Sequence, residues 1–139
     1  LDEVGDLGIT LQPKFLRVLE DGVVCRLGSQ TRRRVRFRLI CATNRDLSSM
    51  VASRRFRADL LYRIDILRIA VPPLRAHPED IPSIAMRYLG DPRAVLTTRA
   101  LEKLKDYHWP GNVRQLFNCL SRAVSSSSCG VIDDDHINF

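Results

Sequence analysis

The chain has 139 residues, 45% of them hydrophobic and only 6% aromatic, so it can build a core, and that core should be aliphatic. Its 22 Lys and Arg outweigh 16 Asp and Glu to give a formal net charge of +6, a field suited to anionic partners. No apolar stretch is long enough to span a membrane and no signal-peptide pattern opens the chain. Cys25, Cys41, Cys119 and Cys129 show neither C-x-x-C spacing nor a neighbouring histidine, which argues against structural zinc and for free thiols in a reducing cytoplasm.

Leu1, not methionine, comes first, and the chain is expected to begin inside a larger protein. Leu1-Asp2-Glu3 reads as the tail of a strand, followed by a turn at Gly5, Asp6 and Gly8. Residues 10–20 carry Leu11, Phe15, Val18 and Leu19 at helical spacing, with Pro13 near the start and Asp21-Gly22 as the stop. Residues 23–37 alternate loosely around Gly28-Ser29 and predict a short hairpin or extended loop with a wet basic face at Arg32, Arg33, Arg34, Arg36 and Arg38. The run 37–43 predicts a buried strand. Asp46 can cap a helix reaching about Ala52, and a second short helix is expected over 58–63.

Residues 64–71 predict another apolar strand, stopped by Pro72-Pro73. A helix then begins at Glu79-Asp80 and ends before Gly90. Alternating strand and helix up to this point indicates an α/β fold. After Gly90 the pattern is helical. Thr98 is the expected cap of one helix, and residues 110–126 form another, with Val113, Leu116, Phe117, Leu120, Ala123 and Val124 on one face. Asn112 and Gln115 have capping-box spacing, and Asp133 can start a last short helix. The division expected from this pattern is 1–89 and 90–139.

Four places could carry chemistry. Asp2 and Glu3 are adjacent carboxylates at a strand end, suited to a Mg²⁺–water site and a general base, or equally to a solvated strand end. Thr43-Asn44 closes the strongest apolar run, where open α/β sheets bind ligands; an Asx turn is the plainer reading. Arg57 and Arg63 could stabilise charge on a transferring phosphate, or line a wet helix face. Arg114 stands near a helix N-terminus, a place that favours anions, or is an ordinary surface arginine.

The order of these features is more telling than any one of them. LDE, LQPKFLRVLEDG, RLGS, RFRLICATNRDL, FRADLLYRIDIL, VPPLRAHPEDI and WPGNVRQL closely resemble successive motifs of the bacterial sigma-54-dependent transcriptional activators, which are AAA+ ATPases. The resemblance covers nearly the whole chain and is weakest over 87–96 and after Ser125. It implies a partial P-loop NTPase core, a parallel sheet with helices, followed by an all-helical lid. Asp2 and Glu3 are then similar to the Walker B carboxylates, Asp2 serving Mg²⁺ and Glu3 activating water. Thr43 and Asn44 look like sensor I. Arg57 and Arg63 match the arginines of intersubunit hydrolysis, Arg63 being the stronger candidate for a finger in trans. Arg114 looks like sensor II, and Arg26, in the loop before sensor I, is a candidate for relaying movement. The resemblance further implies ATP as substrate, a ring of identical subunits (usually a hexamer), sigma-54 and RNA polymerase as partners, and enhancer DNA held by a separate C-terminal domain.

The sequence departs from that pattern in places. It contains no G-x-x-x-x-G-K-[ST] loop and no GAFTGA loop. ATP turnover is therefore expected of the parent protein, and this stretch alone is expected to be inactive. The family's usual acidic residue after the sensor II arginine is Gln115 here, and Arg32–Arg34 make the hairpin more basic than usual. Two other classes stay open on the residues: a non-catalytic AAA+-like interaction module, and a DNA-binding module resting on the positive charge.

Overall fold

The computed structural model describes residues 1–139 except 27, 30, 91–93, 128 and 129. They form two units, Leu1–Ile69 and Ala70–Phe139. The break thus precedes the helix Ile81–Leu89 and does not fall at Gly90 as the alternation of the sequence suggests. That helix buries Ile81 and Ala85 in the core of the second unit. Periodicity identifies a helix but not the core that its apolar face joins.

In the first unit, α1 (Gln12–Asp21) has Pro13 in its first turn and ends at Gly22. Gly22 has φ 63°, the left-handed conformation that glycine adopts without steric cost. The core-facing stripe is Gln12, Phe15, Leu16 and Leu19, at spacing i, i+3, i+4, i+7. Leu11, expected on that stripe, is 49% exposed. Strands β1 (Val23–Cys25) and β2 (Arg32–Arg34) pair antiparallel, with Val24 opposite Arg33, and make a hairpin, the first of the two expected alternatives. Helix α2 (Leu47–Ala52) is capped by Asp46, whose Oδ1 accepts the Ser48 N–H at 2.9 Å. Helix α3 (Ala58–Ile64) follows. Val4, Met50, Phe56 and Leu60 form the core, each large apolar side chain contributing about 1.5–3 kcal/mol on burial.

The two predicted buried strands do not appear as strands. Residues 37–43 and 64–71 form no ladder among the described residues, and Phe37, Ile40, Ile66, Leu67, Ile69 and Val71 are exposed. A helix closes its hydrogen bonds within itself, whereas a strand needs a neighbour. One partial neighbour exists: the Leu1 amino group donates to Ile40 O at 2.7 Å and the Ala42 N–H donates to Leu1 O at 3.0 Å. These are the two bonds a parallel pair makes around one residue.

In the second unit, short 3₁₀ turns at Leu74–Ala76 and Pro78–Asp80 lead into α4 (Ile81–Leu89). Helices α5 (Thr98–Asp106) and α6 (Asn112–Ser126) complete the bundle. It is not all-helical: β3 (Val95–Leu96) and β4 (Val131–Ile132) make a two-residue parallel pair. The cap of α5 is Thr97, not Thr98; its Oγ1 accepts the Ala100 N–H at 3.2 Å. On α6 the buried residues are Leu116, Cys119, Leu120 and Ala123, while Val124 is exposed and Phe117 stacks on Tyr88 at 4.0 Å. Burial pushes the Cys119 thiol above its ordinary range. Trp109 is fully buried, and its indole N–H donates to Leu104 O at 2.7 Å.

Candidate functional site

The parallel contact between Leu1 and the 40–42 segment brings two of the candidate pairs together. The Asn44 N–H points at Glu3 Oε2 across 3.4 Å, and the Val4 N–H donates to Ala42 O at 2.9 Å. Glu3 has φ 48°, a left-handed conformation that is rare for a residue with a Cβ. Asp2 Oδ1 accepts the Glu3 N–H at 3.1 Å, and Thr43 Oγ1 accepts the Arg45 N–H at 3.1 Å. The latter is a local turn made by the threonine side chain, where the plainer reading expected an Asx turn made by Asn44. Asp6 pairs with Arg45 at 2.5 Å and ties the two strand exits further.

Gly5 is packed into this junction. A Cβ at that position would lie 2.8 Å from Thr43 Oγ1 and 3.2 Å from Arg45 Cβ. The glycine is needed for close approach of the two strand exits, a requirement that the sequence alone did not reveal.

Among the described residues no three His, Cys, Asp or Glu side chains cluster so as to hold a metal ion. Asp2, exposed beside Glu3, fits the limited role of a nucleotide-bound Mg²⁺ ligand, since such an ion is held mainly by phosphates and water with one or two carboxylates.

Arg57 and Arg63 project from the two ends of α3, about 9 Å apart along its axis. Both are exposed. Arg57 is the N-terminal boundary residue of the helix and bonds Asp59 twice, Nε to Oδ1 at 3.0 Å and Nη2 to Oδ2 at 2.6 Å. These bonds hold the Asp59 carboxyl below its usual range and raise the Arg57 guanidinium. Arg63 Nη2 reaches Leu19 O in the last turn of α1 at 3.4 Å, a favourable place for a cation. It borders an open groove of about 570 Å³ that is also lined by Leu19, Val35, Phe37, Leu39 and Ile66.

Arg114 is exposed in the first turn of α6, in the second unit. The capping box expected between Asn112 and Gln115 does not form. Gln115 Oε1 accepts the Gly111 N–H at 2.9 Å, but Asn112 Oδ1 accepts the Leu74 N–H at 2.8 Å and so ties α6 to the 3₁₀ turn before α4. Arg26 is exposed in the hairpin turn, where its carbonyl accepts the Ser29 N–H at 3.0 Å.

Residues 1–70 match the Sigma-54 interaction domain, and residues 75–139 match the AAA+ ATPase lid domain. The chain belongs to the sigma-54 activator family. The two matches meet where the two compact units divide. Among relatives of this sigma-54 activator chain, the alginate biosynthesis transcriptional regulatory protein AlgB of Pseudomonas aeruginosa is 43% identical, over 100% of the chain and 32% of the relative. The formate hydrogenlyase transcriptional activator FhlA of Escherichia coli is 49% identical, over 89% of the chain and 19% of the relative. Crystal structures of NtrX from Brucella abortus in complex with ADP and with ATP both superpose with a TM-score of 0.85 at 33% identity, covering 99% of this chain and 34% and 35% of NtrX. The sigma-54 activator chain therefore spans at most about a third of the length of these relatives.

Gln12 is the residue that sequence reasoning missed. It is fully buried on the core side of α1 and bonds the backbone of Arg55 and Arg57. Spacing alone could not have exposed it, because 12, 15, 16 and 19 and the set 11, 15, 18 and 19 fit the helical period equally well. No helix among the described residues is long and apolar enough to cross a membrane.

Proposed function

We propose that this chain supplies the sensing and triggering part of an ATP-driven motor that remodels the closed promoter complex of sigma-54 RNA polymerase. The reading rests on one observation above all, the convergence of Asp2-Glu3 and Thr43-Asn44 at adjacent strand exits, with Asn44 N 3.4 Å from Glu3 Oε2. Glu3 is the general base that polarises the attacking water, and Asn44 orients Glu3 and reports on the terminal phosphate. Asp2 would hold Mg²⁺, which would neutralise charge on the phosphate oxygens when bound. Thr43 fixes the turn that presents Asn44.

Arg57 and Arg63 act on the ATP of a neighbouring subunit in a ring, where a guanidinium stabilises charge developing on the transferred phosphoryl group. Arg57 exchanges Asp59 for that phosphate; exposed ion pairs are weak, so the exchange is cheap. Arg114, on the lid, contacts the nucleotide of its own subunit. The basic hairpin β1–β2, with Arg26 in its turn, carries the resulting movement outward. Enhancer DNA is held by a separate domain of the parent protein.

The test is ATP turnover and ring assembly by the full-length protein, wild type against Glu3→Gln and Arg63→Ala. Glu3→Gln is expected to abolish turnover, and Arg63→Ala to lower it by roughly a thousandfold, as loss of an arginine finger does. Wild-type turnover in Arg63→Ala would remove the finger assignment. Wild-type turnover in Glu3→Gln would remove the general-base assignment, and absence of turnover in the wild type itself would favour the second class of function, a non-catalytic interaction module.

A further inference from the structure

Gln12 is the one buried polar or charged residue among those described, with 0% exposure. Its amide has one self-consistent orientation. Nε2 donates to Leu7 O at 2.8 Å and to Arg55 O at 3.2 Å, and Oε1 accepts the Arg57 N–H at 2.8 Å. The flipped amide would set hydrogens against the Arg57 N–H and an oxygen against two carbonyls. Both donors and the acceptor are thus used, as a buried amide requires.

Two of these bonds grip the backbone on either side of Phe56, which is itself buried at 2% exposure. The grip lies where α2 ends and α3 begins. Arg57 is the boundary residue of α3, yet its side chain makes no capping bond. Its own N–H is satisfied from a different helix. The stretch before it is awkward backbone: Arg54 has φ 57°, and the N–H groups of Arg55 and Phe56 both converge on Met50 O, at 2.8 and 3.1 Å. An apolar side chain at position 12 would fill the space but leave Arg55 O and the Arg57 N–H without their partner.

We propose that Gln12 is a positioning residue for Arg57. It fixes the backbone from which the Arg57 guanidinium reaches the neighbouring subunit's ATP, and this rests on the reading of Arg57 given above. The guanidinium is held only by an exposed pair with Asp59 and can leave it, while the backbone anchor is buried and stays. Misplacing a catalytic group by about 1 Å can cost up to roughly a hundredfold in rate, so the anchor is expected to govern turnover more than affinity.

The test is a double-mutant cycle on the full-length protein with Gln12→Met, which keeps side-chain length but loses every polar atom, and Arg57→Ala. Turnover, KM for ATP, ring assembly and thermal unfolding are measured for both single variants and the double. Gln12→Met is expected to lower kcat about tenfold or more with KM changed little. The double variant should be no slower than Arg57→Ala, because a residue acting through Arg57 has nothing left to position. Losses that multiply would overturn the proposal and assign Gln12 to general stability. Wild-type turnover in Gln12→Met beside a slow Arg57→Ala would overturn the positioning role while leaving Arg57 as proposed. Wild-type turnover in Arg57→Ala would instead overturn the reading of Arg57 itself. Should Gln12→Met fail to fold, Gln12→Glu, whose protonated form keeps the acceptor for the Arg57 N–H, enters the same cycle with the same outcomes.

Discussion

Gly5 and Thr43 meet at van der Waals limits, and the consequence is testable. In Gly5→Ala the new methyl carbon would lie 2.8 Å from Thr43 Oγ1 and 3.2 Å from Arg45 Cβ. Arg45 Cβ adjoins the backbone and Thr43 Oγ1 accepts the Arg45 N–H, so relief of the contact either breaks that bond or parts the strand exits. Overpacking of this kind costs about 1–3 kcal/mol. Gly5→Ala is expected to lower the unfolding temperature and to cut ATP turnover of the full-length protein by a larger factor than the stability loss alone explains. Retained turnover in a destabilised variant would show that the Glu3–Asn44 approach is not needed for chemistry. The candidate residues at this junction were legible from their order in the sequence. The glycine was not, because its necessity comes from a side chain that lies thirty-eight positions away in sequence, 43 minus 5.

At the level of elements, two junctions carry measurable stability. Gly22 ends α1 at φ 63°, and a Cβ there would lie 3.3 Å from Val35 O. Gly22→Ala is expected to destabilise by roughly 1–2 kcal/mol in chemical denaturation, the cost of a left-handed non-glycine residue. No change would mean that the α1–β1 junction relaxes freely. In the second unit, Thr97 caps α5 and its Oγ1 also donates to Asp133 Oδ1 at 2.6 Å, while Asp133 caps the 3₁₀ turn Asp134–His136. The Thr97 hydrogen bond, then the Asp134 N–H, hold the Asp133 carboxyl below its ordinary range. A depressed carboxylate stabilises the fold fully above its unfolded pKa of about 3.9, and that stability is lost as pH falls through the lower folded value. Thr97→Val should shrink this acid-sensitive contribution and also remove a cap worth about 1 kcal/mol near neutral pH. Unfolding curves of wild type and variant that stay parallel from neutral pH down to about pH 3 would refute the coupling.

At the scale of the whole molecule, the segments 37–43 and 64–71 expose Phe37, Ile40, Ile66, Leu67, Ile69 and Val71. Large apolar side chains exposed along a segment suit burial against further protein. The chain by itself is expected to bind the dye ANS more strongly than the full-length protein does, and residues 37–43 should gain hydrogen-exchange protection in the longer protein. Equal dye binding by the two would mean that these segments stay exposed in both.

The sequence by itself determined the helices, the turns at Gly22 and Gly90, and the family. Each depends on local spacing or on an ordered set of short motifs. Helices could be read because their hydrogen bonds and their apolar stripe lie within one run of residues. Tertiary structure alone decided four things. It set the unit boundary near residue 70, because only packing shows which core Ile81 and Ala85 join. It left 37–43 and 64–71 without ladders, because a strand depends on a neighbour that local sequence does not describe. It turned Asn112 away from its own helix to Leu74. It also put Gln12 in the core in place of Leu11, because a polar side chain can be buried where distant backbone groups, here those of Arg55 and Arg57, need its donors and its acceptor.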